Sequence, residues 1–161
     1  MVLLVECVVA IALFTAIVIP NTLRDPLAVI GDYPPAIRRR CEELGLVSPT
    51  EKRLTTADLV RKIAAVVILL IGFVLILTRI NGCTTFWQGF RDSFVIWLAI
   101  AWWDALVVDC GWFCHSPRTR IPGTEDMPEY HDYFFHVKHS CIGTAIGLPV
   151  CLLVGALVQL F

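Results

Sequence analysis

Apolar positions in this chain gather into four long runs, 2–19, 57–80, 85–115 and 134–161, with polar stretches between them. Runs of roughly 18 residues or more can cross a bilayer as helices, whereas soluble helices alternate their faces. The first run lacks a basic leader and a small-residue cleavage site, so it reads as a retained helix ended by Pro20. The second opens at Thr55 or Thr56, with Asp58 placed as in a capping box, and stops at Asn81-Gly82. A tight turn over 81–84 leads into the third, which continues until Pro117. The fourth carries Gly143, Gly147 and Gly155, and Pro149 should bend it. The predicted fold is an all-α integral membrane protein, four transmembrane helices in one bundle, forming a single membrane domain over 1–161.

The polar stretches add a fifth element and an orientation. In the first loop, 20–56, Pro34-Pro35 precedes a predicted short helix over 36–44. Its Ile37, Cys41 and Leu44 share one side and Arg38, Arg39 and Arg40 the other. Such a helix lies on anionic headgroups as an interfacial element, or else in solvent as a plain loop helix. Of the 13 Lys and Arg, Arg79 and Arg91 alone fall outside the 21–62 and 116–138 segments. The positive-inside rule therefore puts loops 20–56 and 116–133 in the cytoplasm of a cell (inner) membrane protein, with both termini outside.

Composition sharpens this picture. Hydrophobic residues make up 57% of the chain, and the mean hydropathy is +0.74. Soluble domains sit nearer 45–50% apolar by the same broad count. The basic residues are sorted by loop rather than gathered on one face, so nothing points to nucleic acid. Most of the seven cysteines fall in apolar helices, where they pack as small apolar groups. Cys7 and Cys83 share the outer side and are the one candidate bridge. Glu6, Arg79, Arg91 and Asp92 form an expected outer cluster of mutually neutralising charges.

Candidate chemistry collects between Trp97 and His139. Asp104 lies roughly 18 Å below Asp92 at about 1.5 Å per residue, deep in the hydrocarbon. An ionisable group there is a functional candidate, or else interhelical glue to Ser140 or Thr144. On a regular α-helix His115, eleven residues on, shares its face, while Asp109 points away by more than a third of a turn. Asp132, His136 and His139 are spaced i, i+4, i+7, and His115 could face them. Imidazole and carboxylate donors converging from packed helices suit a divalent transition metal, but no short metal signature accompanies them, and an interfacial hydrogen-bonded cluster is the preferred reading. Arg118 and Arg120 offer fork donors for a phosphate, and with Glu125, Glu129 and Tyr130 their loop could cover the histidines.

The leading expectation is a polar Asp/His pocket on the cytoplasmic side that binds an amphipathic or lipid-linked small molecule and, as an enzyme, modifies it. Asp104, His115, His136 and His139 are the catalytic candidates. Trp102, Trp103, Asp109, Arg118, Arg120 and Tyr130 are the ligand contacts, with Trp97 in the apolar wall. Two other classes stand beside it: a small proton- or ion-coupled transporter or channel subunit, and a non-catalytic accessory subunit of a membrane complex. Gly143-x-x-x-Gly147 allows close helix approach, inside the bundle or across a homodimer.

Overall fold

A computed structural model describes residues 1–48 and 55–161, without the side chains of Asp58, Lys62, Ala65 and Leu69. The expected Asp58 cap, and the basic residues Lys52 and Arg53, lie outside the described residues. The helices are α1 (Val2–Arg24), α2 (Pro35–Glu43), α3 (Thr56–Arg79), α4 (Phe86–Trp103) and α5 (Tyr133–Val158). Among the described residues there is no strand. Four helical stretches are long and apolar enough to span a membrane: Val2–Arg24, Leu59–Arg79, Phe86–His115 and Tyr133–Val158.

Local chemistry explains most boundaries. Thr85 and Gln88 form a capping box at α4: Gln88 N–H donates to Thr85 Oγ1, and Gln88 Oε1 accepts from the Thr85 and Thr84 amides. Gly82, at φ 66°, turns the chain after α3, where Cys83 N–H donates to the Leu77 carbonyl at 3.0 Å. Pro20 does not end α1, which continues to Arg24. Proline costs the bond to the carbonyl four residues back. Beyond it, the buried Thr22 donates its hydroxyl to the Val18 carbonyl, so the turn is held by side chain and packing. Likewise α5 runs continuously through Pro149.

The third long helix departs from α geometry. From Asp104 to Trp112 it is a π-helix, then one 3-10 turn, Phe113–His115, before Pro117. A π-helix bonds each N–H to the carbonyl five residues back, and short π segments inside α-helices are frequent at functional sites.

The chain divides into two compact units. The first comprises Met1–Val8, Lys52–Ala99 and Thr144–Phe161. Its core joins Val74, Leu77 and Cys83 to Val154 and Val158. A Cβ at Gly89 would stand 2.9 Å from Val158, and one at Gly155 would stand 2.8 Å from the Phe86 carbonyl, so α4 and α5 meet backbone to backbone. A Cβ at Gly147 would fall on the Trp97 indole. That face of Gly147 is therefore filled by this chain's own tryptophan.

The first unit also holds the polar cluster, rearranged. Asn81 donates to Glu6 at 2.8 Å and reaches Asp92 at 3.5 Å, and Arg91 donates to Asp92 at 2.8 Å. Asn81 occupies the place expected of Arg79. Cys7 and Cys83 are both free thiols; burial, and then Asp92 against which it lies, push the Cys83 thiol up to about 11.

The second unit comprises Val9–Glu51 and Ile100–Gly143. Its core is Tyr33, Ile37, Cys41, Phe113, Cys114, Ile121 and Tyr130. The apolar side of α2 is thus packed on protein, with Ile37 and Cys41 fully buried. The arginines remain outward, Arg38 on Glu42 and Arg40 on Glu43.

Candidate functional site

Within the second unit a cavity of about 310 Å³ lies between α1, the 3-10 turn Ile30–Asp32, the π-helix and α5. Its polar lining is Asp32, Asp104, Asp109, His136 and His139. A smaller cavity of about 170 Å³ shares the last four of these and reaches Ser140 and Gly143. Asp104, Asp109, His136 and His139 therefore form a polar wall common to both.

The π-helix brings the two carboxylates of this wall together. Five residues apart on an α-helix, Asp104 and Asp109 would diverge by about 140°. With five-residue bonding they sit nearly one turn apart and line the same space. That corrects the α-helical expectation that Asp109 points away. It also takes His115 off this face.

His136 is the centre of the arrangement. It is 3% exposed, and its Nδ1 lies 3.1 Å from Asp109 Oδ2. Its Nε2 is buried with no hydrogen-bond partner. A carboxylate accepting the Nδ1 proton fixes the ring's tautomer and leaves Nε2 as a lone pair, the arrangement of an oriented general base. The ring is also held edge-on against Phe113 at 5.4 Å and Phe135 at 5.2 Å. His139, more exposed, donates Nδ1–H to the Phe135 carbonyl at 2.9 Å, so its Nε2 is likewise an acceptor.

Asp32 was not legible as a site residue. It follows Gly31 in a loop and reaches the cavity because Tyr33 is anchored, its hydroxyl donating to the Thr119 carbonyl at 2.9 Å. Although Asp32 as a whole is exposed, surrounding protein desolvates its carboxyl and holds its pKa above the ordinary value. The Asp109 charge pushes the same way, against a weaker opposite pull from His139 and His136.

Other expected site residues are placed elsewhere. Asp132 caps α5, its Oδ1 accepting from Phe135 N–H at 2.9 Å. His115 is exposed, bonded to the Tyr133 hydroxyl at 3.0 Å and 5.4 Å from the His131 ring. Asp132 and His139 thus bond to the Phe135 backbone, His136 to Asp109 and His115 to Tyr133. No group of three or more His, Cys, Asp or Glu side chains among the described residues is arranged to hold a metal ion.

Trp103 donates to Thr15 at 3.1 Å, and neither it nor Trp102 lines the cavity; Phe14, Tyr33, Trp112, Phe113 and Phe135 supply its aromatic wall. Ser140 donates to the Ala101 carbonyl at 2.8 Å rather than to Asp104.

The 116–131 loop is folded onto the core of the second unit through Ile121 and Tyr130, and it does not bring its arginines to the cavity histidines. The Tyr130 hydroxyl accepts from Ile121 N–H at 2.9 Å and lies 2.7 Å from Thr124 Oγ1. Arg120 stacks on the Tyr130 ring at 3.9 Å and donates to the Cys114 carbonyl at 2.7 Å. Arg118 is exposed, and neither arginine lines the cavity.

No family model, curated protein or solved structure matches this chain.

Proposed function

We propose that the four apolar helices cross a cell membrane, with loops 20–56 and 116–133 cytoplasmic, and that the Asp/His cavity binds and modifies an amphipathic or lipid-linked small molecule. The observation that carries this is the buried, unpartnered Nε2 of His136, oriented from behind by Asp109, at a cavity that also gathers Asp32, Asp104 and His139. An imidazole acceptor held there without a partner is destabilising for folding alone, and a bound ligand would satisfy it. In this reading His136 takes a proton from the ligand, Asp109 positions it, and Asp104 contacts the reacting end. The lining is mostly apolar with few convergent polar groups, as small-molecule sites are, and its volume suits a head group with a short apolar stem.

The test is mass spectrometry of small molecules that co-purify in mild detergent. The chain should retain an amphipathic species that is lost from a Val108→Trp variant, in which the cavity is filled, at unchanged helical content by circular dichroism. Asp104→Asn should keep the fold and alter the ratio of bound substrate to product. The same molecules on the wild type and Val108→Trp would overturn the reading.

A further inference from the structure

The hydrogen-bonding character of the cavity lining narrows what it can hold. The side-chain donors around it are already used inside the protein. Thr22 donates to Val18, the Tyr33 hydroxyl to Thr119, and His139 Nδ1–H to Phe135. No lysine or arginine lines the cavity. What remains is a set of acceptors: carboxylates of Asp32, Asp104 and Asp109, and the Nε2 atoms of His136 and His139. The Trp112 indole is the exception, a single N–H donor on the aromatic side.

Resting on the reading of this cavity as an amphiphile site, we infer that its ligand carries a primary ammonium head, not the phosphate that Arg118 and Arg120 suggested from sequence. A primary ammonium presents three N–H donors and one positive charge. Three carboxylates and an unpartnered imidazole nitrogen complement both. The cation would also favour the ionised carboxylates over their protonated forms. Phe14, Trp112 and Phe135 add ring faces to which a cation is attracted and against which an alkyl stem packs. An anionic head would meet three carboxylates with no lysine or arginine among the lining residues to offset them. A trimethylammonium head would have the charge but no N–H to donate.

The experiment is calorimetric titration of the protein in phosphatidylcholine nanodiscs, with empty nanodiscs subtracted, using hexylamine, hexyltrimethylammonium, hexanol and hexyl phosphate. These short chains keep partitioning into the bilayer small. Hexylamine should bind at least tenfold more tightly than the other three. An Asp104→Asn/Asp109→Asn variant should weaken it tenfold or more, and Val108→Trp should abolish it, with helical content preserved in a variant for its result to count. Equal or tighter binding of hexanol or hexyl phosphate, abolished by Val108→Trp, would overturn the ammonium inference and leave the amphiphile site standing. Binding of none of the four would overturn both.

Discussion

Asp32 and His136 show how differently single residues declare themselves. His136 could be named from sequence because an imidazole in an apolar run is unusual, although only folding set its Nδ1 against Asp109. Asp32 is one of several loop acids, and what separates it from Asp25 is the protein that later surrounds it. Burial first, then Asp109, holds the Asp32 carboxyl above its ordinary value of 3.8. The folded chain therefore binds this proton more tightly than the unfolded chain. The stability so contributed is complete below 3.8 and is lost as pH rises through the higher folded-state value. Asp32→Asn should flatten the decline of melting temperature as pH rises from below 3.8. Parallel pH profiles for variant and wild type would show that the carboxyl is not desolvated as described.

At the scale of elements, two departures from the sequence pattern shape the site. The π-helix Asp104–Trp112 has no composition cue, because its apolar run reads equally well at α spacing. Its wider turn is decided by what lies on each side. Ala105 and Val108 are buried, Leu106 and Val107 exposed, and Asp104 and Asp109 face one cavity. The short helix α2 did carry its cue, one apolar side against three arginines, but amphipathicity does not say what covers that side. Here it is Tyr33, Phe113 and Tyr130. Ile37→Ala should therefore destabilise the chain by about 2–5 kcal/mol, as a buried large-to-small change does. Arg39→Ala, on the exposed side, should stay within about 0.5 kcal/mol. Denaturant titration in detergent reads both. Equal, small effects would mean that the apolar side of α2 rests on lipid headgroups instead.

For the molecule as a whole, the proposed topology rests on four helices suited to spanning and on the skewed distribution of Lys and Arg. In a Cys83→Ser background, Thr84→Cys should react with a membrane-impermeant maleimide on intact cells. Asp126→Cys should react only after permeabilisation. The reverse pattern would invert the orientation and put the 116–131 loop outside.

The number of long apolar helices, their approximate ends and the residue types lining the cavity were legible because hydrophobic runs and the acids within them are local properties of the chain. Pro20 misled as a stop signal because packing and the Thr22 hydroxyl outweigh one missing backbone bond. Tertiary structure alone decided which polar groups meet. The widened turn put Asp109 beside Asp104 and against His136, while Asp132 was taken by a helix cap. Tyr130 held Arg120 in the loop, away from the cavity. Spacing along a chain assumes a helical period, and here the period itself depended on the fold.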